Sequence, residues 1–348
     1  MKKTMICAAV AAAIALAAPS CKKDDETIVI TPPSSGKEQV LNGGTGGANA
    51  ANSVFLDLST DKQDSVARNA WDLRFYCGSD YRVTLNLTTA GTAKVLAKND
   101  LTTVTAADTV GFAAAMALGQ GAGTLDLIDD VDGDITKTVI AAVSATDADN
   151  KVYIVKPTNG SAAPAKDWYK VRILRNGSNY RLQYALIGES TFKTADISKD
   201  ASYNFKFFNL ATNSLVTVEP PKASWDIQWT LTTYKTAFGA NTIPYVFSDY
   251  VYINSLGGTT AAEVLNTTVT YDNYAESNIS TTTFSNSKVV IGGNWRATTG
   301  TVGVKTDRFY VIKDVAGNVY KLKFLSFAPA DLGVRGYPKL VYKLVKQA

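Results

Sequence analysis

The sequence predicts an all-β protein made of tandem duplicated antiparallel modules. A first observation carries this. Phe55-Leu56-Asp57-Leu58-Ser59-Thr60-Asp61 followed by Trp71-Asp72-Leu73 is echoed by Phe207-Phe208-Asn209-Leu210-Ala211-Thr212-Asn213 followed by Trp225-Asp226-Ile227. A second echo joins Gly177 and Tyr180-Arg181-Leu182-Gln183-Tyr184 to Gly317 and Tyr320-Lys321-Leu322-Lys323-Phe324 at a single offset of 140 residues. Third, short runs of alternating apolar and polar residues, punctuated by Gly and Asn, recur along the chain with almost no helical periodicity. A pattern repeated once in 348 residues is the mark of a duplicated unit.

The first residues, MKKTMICAAVAAAIALAAPSC, give two lysines, an apolar run from Met5 to Ala18, and small residues up to Cys21. That is the layout of a secretory signal peptide, predicted over residues 1–20. Cys21 after Ala18-Pro19-Ser20 resembles the lipobox of bacterial lipoproteins, which makes it the expected lipidation site; the alternative is a secreted protein with a cysteine beside the cut. Lys22-Lys23-Asp24-Asp25-Glu26 resembles the export signal that sends lipoproteins of Bacteroidota to the cell surface. Residues 21–51, with Pro32-Pro33-Ser34-Ser35-Gly36 and Gly43-Gly44-Thr45-Gly46-Gly47, read as a flexible lipid-anchored tether.

The first module is placed at residues 52–200. Val54–Leu58, Trp71–Phe75 and Tyr81–Leu87 read as strands, and Asp108–Leu118 (DTVGFAAAMAL) as a short helix or packed loop. Gly119-Gln120-Gly121-Ala122-Gly123 has the glycine count of a phosphate loop but no following Lys-Ser/Thr, so it reads as a turn. Asp129-Asp130-Val131-Asp132-Gly133-Asp134 lacks the ligand order of a calcium loop and reads as a solvated turn. Strands then follow at Ala141–Val143, Val152–Val155, Tyr169–Ile173 and Tyr180–Ala185. In the second module, 201–348, strands are read at Tyr203–Leu210, Trp225–Trp229, Tyr250–Ile253, Val289–Ile291, Arg308–Ile312, Val319–Leu325 and Leu340–Val345.

Little catalytic equipment is present. The chain has no histidine, which excludes a Ser-His-Asp triad, a histidine general base and a His-ligated zinc. Asp72 and Asp226 follow tryptophan in both copies, so they read first as caps or ion-pair partners; no carboxylate spacing selects an acid/base pair. No catalytic residue and no metal ligand is assigned, and the protein is read as a non-enzyme. The 35 basic residues less Lys2 and Lys3 leave 33 against 31 acidic ones, too even for a nucleic-acid partner. Of three cysteines only Cys77 remains beside Cys7 in the leader and Cys21, so the mature chain forms no internal disulfide; Cys77 reads as an inert thiol next to a strand. Aromatics in loop-like text, Tyr245, Tyr250, Tyr271, Tyr274, Trp295 and Tyr337, are candidates for stacking on a sugar or a porphyrin, or ordinary core.

The leader with its cysteine, Trp71-Asp72-Leu73, Trp225-Asp226-Ile227, and above all GVKTDRFYVIKDVAGNVYKLKFLSF and RGYPKLVYKLV between Gly303 and Val345 resemble the HmuY family. These are haem-binding lipoproteins of Bacteroidota that take haem from host carriers and pass it to an outer-membrane receptor. The resemblance implies an outer-membrane, surface-exposed, HmuY-like protein for haem or iron acquisition, with a haem-carrying host protein and a receptor as partners and only a lipid anchor in the membrane. It also implies haem held in a cleft by two side chains, histidines or methionines. Here histidine is absent, and Met116 is the sole methionine beyond the leader. Met116 is therefore the candidate axial ligand, with a tyrosine, Cys77, water or nothing opposite, unless it simply fills a gap in an apolar segment. The alternative function is an adhesin or glycan-binding lipoprotein using its aromatic loops.

Overall fold

The turn chemistry of the first echo explains why it repeats. A computed structural model of the chain describes residues 32–348 apart from 120, 121 and 161. The signal sequence, Cys21 and the start of the tether therefore lie outside the described residues. Asp57 Oδ1 accepts from Ser59 N and Thr60 N, and Asn209 Oδ1 does the same for Ala211 N and Thr212 N. Four residues on, Asp61 and Asn213 adopt φ of 59° and 53°, a left-handed conformation that Asp and Asn tolerate better than other side chains. Each tight turn thus demands Asp or Asn at two fixed places.

The first nine strands are β1 (Gly36–Val40), β2 (Asn52–Asp57), β3 (Lys62–Ala67), β4 (Leu73–Tyr76), β5 (Val83–Leu85), β6 (Thr92–Val95), β7 (Val152–Lys156), β8 (Tyr169–Asn176) and β9 (Asn179–Leu186). The rest are β10 (Lys193–Ile197), β11 (Phe205–Asn209), β12 (Ser214–Val216), β13 (Ile227–Phe238), β14 (Asn241–Ile253), β15 (Thr260–Leu265), the short β16 (Arg296–Ala297) and β17 (Gly303–Val304), β18 (Arg308–Lys313), β19 (Val319–Ser326) and β20 (Lys339–Lys346). One short helix, α1 (Phe112–Ala115), falls within the alanine-rich stretch. The all-β expectation holds.

The two copies exchange strands. One four-stranded sheet runs β12-β11-β4-β5 and the other β3-β2-β13-β14, so each Trp-Asp strand pairs with the opening strand of the other copy. Two five-stranded sheets complete the fold, β6-β7-β8-β9-β10 and β15-β18-β19-β20-β1, again one the topological image of the other. Each apolar core borrows accordingly: Phe208 and Leu210 fill the core built on Leu73, Val171 and Leu182, while Val54, Leu56 and Leu58 fill the one built on Ile227, Ile312 and Leu322. Neither core is complete within residues 52–200 or 201–348.

Buried carboxylates fasten the exchange. Asp226 N donates to Leu56 O and its Oδ2 accepts from Leu58 N at 2.8 Å; Asp72 N donates to Phe208 O and its Oδ2 accepts from Leu210 N at 2.8 Å. Asn254 Nδ2 reaches Lys222 O and Trp225 O, as Asn86 Nδ2 reaches Arg68 O and Trp71 O. Phe55 meets Trp225 edge-on at 5.1 Å between centroids and Phe207 meets Trp71 at 4.9 Å, pairs each worth about 0.5–1.5 kcal/mol beyond their buried area.

Three expectations are corrected. The hairpins around Gly177 and Gly317 are not equivalent: the first joins β8 to β9 and the second β18 to β19, one strand out of phase. The topological partner of β8 is β19, which places buried Lys170 opposite buried Lys321. Lys170 Nζ donates to Val104 O and Glu189 O, and Lys321 Nζ to Tyr271 O and Tyr274 O, each tying an inserted loop to its sheet. Second, the end of the expected tether is folded. β1 pairs with β20, Leu41 is fully buried, and a Cβ on Gly43 would lie 2.5 Å from the Trp229 ring. The glycines there permit close approach rather than flexibility. Third, Ala141–Val143 and Val289–Ile291 are not strands; they lie alongside the sheets through isolated bonds such as Val143 N to Tyr81 O and Val251 N to Gly292 O.

Asp72 and Asp226 differ in one respect that is measurable. Asp72 Oδ1 pairs with Lys166 Nζ at 2.6 Å, whereas Asp226 has no cation and burial pushes its carboxyl up to about 8. Folded protein then holds a proton on Asp226 that the unfolded chain releases near the usual carboxylate pKa, so stability falls as pH rises from about 4 to about 8. Asp226→Asn keeps an acceptor for Leu58 N and cannot ionise. Thermal unfolding should show it no more stable than wild type at pH 5 and clearly more stable at pH 8, while Asp72→Asn is destabilised by roughly 3 kcal/mol at both. A difference between Asp226→Asn and wild type that does not change with pH would contradict this assignment.

Candidate functional site

The exchange symmetry breaks at one hairpin. Where the first copy has β4 and β5 of four and three residues, the second has β13 and β14 of twelve and thirteen. The extension begins at a bulge. Pairing passes from Thr230↔Tyr250 to Thr232↔Phe247, so Ser248 and Asp249 together face Leu231, and Asp249 takes a φ of 52°. A bulge increases twist and bends the ribbon, re-aiming everything beyond it.

This bend is clamped from below. Arg335 Nε donates to Asp249 Oδ2 at 2.8 Å, Trp295 Nε1 to Asp249 O at 3.0 Å, and Arg296 Nη2 to Ser248 O. Asp249 Oδ1 and Arg296 Nε are buried without partners. Burial raises the Asp249 carboxyl while Arg335 holds it down.

On both sides of the bulge the hairpin carries an aromatic ladder. Tyr234, Phe247 and Tyr250 lie 5.1–6.1 Å apart between centroids, with Tyr245 against Phe247 and Tyr252 against Tyr250, both at 5.1 Å. Phe238 at the tip is half exposed. One face of the hairpin, through Leu231, Tyr234 and Val246, closes over the segment inserted between β6 and β7, against Leu101, Val104, Met116, Leu118, Leu127 and Val131. Tyr234 Oη donates to Asp132 Oδ1 at 2.8 Å and Lys235 Nζ reaches the other oxygen of Asp132, latching the ribbon to that segment.

Met116 is thus brought under the hairpin. Its side chain is fully buried among aliphatic groups, and Thr92 Oγ1 donates to its carbonyl. No open slot exposes its thioether in this conformation. Cys77 stands elsewhere, half-buried next to β4, with its thiol pushed up by burial and close to Phe75 O. Asp129 departs from the expected solvated turn: it is buried, and its oxygens accept from Leu85 N and Val139 N. Among the described residues no group of three carboxylates or thiols is arranged to hold a metal. The aromatics marked as stacking candidates are mostly core: Trp295 stacks on Phe324 at 4.0 Å, and Tyr271 and Tyr274 pack on Phe309 at 5.6 Å. Only Tyr245 and Tyr337 retain partial exposure.

A cleft opens beside the base of the hairpin, between the two Trp-Asp sheets. Trp71, Phe205, Phe207 and Trp225 wall it, with Gln228, Thr232 and Tyr252 from β13 and β14. Its free space is about 70 Å³, small beside the ~300–1,000 Å³ of most small-molecule pockets. Met116 does not line it.

With the hairpin placed, the comparison with known families becomes informative. Residues 201–342, which contain β11 to β19 and the start of β20, match the family model described as HmuY protein. Over that span the chain is similar to the HmuY family, which supports the resemblance read from the sequence. No curated protein and no solved structure matches the chain. The HmuY span holds the extended hairpin, its bulge and its Arg335 clamp, while Met116 and the segment under the hairpin come from the other copy. No described helix is long and apolar enough to cross a membrane.

Sequence reasoning found the base of the hairpin at Trp225–Trp229 and Tyr250–Ile253 but missed its extension, whose first residues are rich in threonine. Thr230, Thr232 and Thr233 are all buried, and Thr230 Oγ1 bonds Ser53 Oγ at 2.7 Å. The usable signal was β-branched density from Ile227 to Thr236, which favours strands even when polar. If the Asp249 clamp fixes the bend, Arg335→Ala should increase amide exchange in residues 232–247 at least tenfold while Ile227–Trp229 stay protected. Equal protection in both variants would show the clamp to be irrelevant to the ribbon.

Proposed function

We propose that this chain is a non-catalytic capture protein of the HmuY type, taking haem or a related tetrapyrrole between the β13–β14 hairpin and the segment around Met116. The observation that supports it most is the asymmetry: the added length, the bulge and the aromatic ladder all fall on the hairpin within the HmuY span, and its apolar face covers the sole thioether of the mature sequence. Haem chemistry suits such a layer, with a flat apolar ring against aliphatic and aromatic side chains and a soft ligand at its centre. Entry requires the hairpin to lift from Leu101, Leu118 and Leu127, which the Tyr234 and Lys235 contacts to Asp132 oppose.

In this reading the protein carries haem and does not transform it. Cys21 anchors it in the outer membrane, a haem-carrying host protein is the source and an outer-membrane receptor the destination. The glycan-binding alternative loses most of its residues to the core.

Titrating tag-free protein with oxidised and with reduced haem should give a saturable Soret shift. Met116→Ala should weaken it at least tenfold or change the ligand-field bands; a variant that matches wild type in spectrum and affinity removes Met116 as ligand, and absence of any saturable shift removes the haem reading. For the anchor, labelled palmitate should enter wild type and not Cys21→Ala; label retained by that variant would overturn lipidation at Cys21.

A further inference from the structure

The cleft between the Trp-Asp sheets holds charges that the fold leaves unmatched. Arg74 leaves β4 with its Nε donating to Thr84 Oγ1 at 2.7 Å and its guanidinium over the Phe205 ring at 4.1 Å. Both contacts fix its direction, yet neither terminal nitrogen has an acceptor among the described residues. Lys288 arrives from the loop beside β14 with Nζ 3.9 Å from the Tyr252 ring centroid and likewise no acceptor. Trp225, 7% exposed and part of the same wall, has a buried Nε1 without a partner. Arg74, Lys288 and Trp225 all line one small space.

The acceptors there are largely in use. Asp129 takes Leu85 N and Val139 N, Glu219 Oε1 takes Phe205 N at 2.8 Å, Asp130 takes Asp134 N, and Asp134 is occupied by Thr136 and Lys137. Neither Arg74 nor Lys288 forms an ion pair within 4.0 Å with any of them. Burial also raises Glu219 to about 7 and Asp129 to about 6, so protonation of these acids as pH falls below neutral reduces the negative charge of the cleft, and it lowers Lys288 to about 7, so the same fall in pH makes Lys288 fully cationic. Arg74 remains cationic throughout, since guanidinium does not lose its proton in proteins. Both side chains are partly exposed to the cleft, so their donors are open to a ligand, and a carboxylate matches the guanidinium fork with two parallel bonds.

We propose that this cleft is a binding site for a small aromatic carboxylate, its anionic group held by Arg74 and Lys288 and its ring set against Phe207 and Trp225. The aromatic walls distinguish it from a site for a bare oxyanion, and its size excludes a tetrapyrrole. It stands apart from the haem reading, which uses Met116 and the far face of the hairpin.

Benzoate is a suitable probe by calorimetric titration of the mature protein, with benzyl alcohol as its neutral counterpart and inorganic phosphate as an oxyanion without a ring. Saturable benzoate binding is expected, at least tenfold tighter than either comparison compound. Arg74→Gln should weaken it at least tenfold, as should Lys288→Gln if the first variant unfolds, while Lys137→Gln, on the exposed turn, should leave it unchanged. Soret behaviour should be the same in Arg74→Gln and wild type, which separates failure here from failure of the haem reading. Absence of saturable benzoate binding, equal binding of phosphate or benzyl alcohol, or full affinity in Arg74→Gln or Lys288→Gln would each overturn the proposal.

Discussion

Two buried carboxylates hold this molecule together. Asp72 and Asp226 sit at the start of equivalent strands, and each satisfies a backbone N–H on a strand that belongs to the other copy. A buried amide left without an acceptor costs about 1–3 kcal/mol, so each pairing specifies which strand may lie there as well as stabilising it. Around these bonds the aromatic pairs Phe55–Trp225 and Trp71–Phe207 fill the space between the sheets. Because both cores are completed by the exchange, the copies form one compact unit spanning residues 33–348.

Reciprocity at the centre leaves the differences to be carried at the margins. The two copies agree in the turns after β2 and β11, in the asparagines that follow the Trp-Asp strands, and in the buried lysines of β8 and β19. They diverge in the cation beside Asp72 that Asp226 lacks, in the length of the hairpin, and in the loops inserted after β6 and β15. A duplicated scaffold can vary these features without disturbing the carboxylate bonds. The extended β13–β14 ribbon and the segment beneath it illustrate this, since ribbon and segment come from different copies and meet because the strands are exchanged.

How much of this was legible in the sequence depended on how local the physics was. The Asp57/Asn209 and Asp61/Asn213 positions were readable because a tight turn with a left-handed residue accepts few side chains. Leu182, Leu322 and their alternating neighbours were readable as half-buried strands for the same local reason. The register of the second echo was not, because Tyr-Lys-Leu alternation with a glycine turn describes any exposed hairpin, and nothing in it says which strand of the sheet it occupies. β1 was hidden more completely: Gly36–Val40 is polar in composition and pairs with Lys339–Lys343, so its only evidence is a partner some 300 residues away. The candidate site fared likewise. Met116 was found by counting residue types, but its position under the hairpin and the convergence of Arg74 with Lys288 depend on pairing across the copies.

The same exchange also shapes the cleft. Joining β2 to β13 and β4 to β11 sets residues of both Trp-Asp sheets around it. Arg74, on a short strand whose counterpart was lengthened into the ribbon, shares that cleft with Lys288 from the loop inserted after β15. Gln228 holds the place equivalent to Arg74 in the other copy and lines the same cleft, so the two copies differ there by one charge. Glu219 and Asp129 lie near enough to Arg74 and Lys288 to stabilise their charges without forming ion pairs with them, which leaves the donors of both side chains open to the cleft. The aromatic residues that fasten the exchange supply the walls around these two side chains.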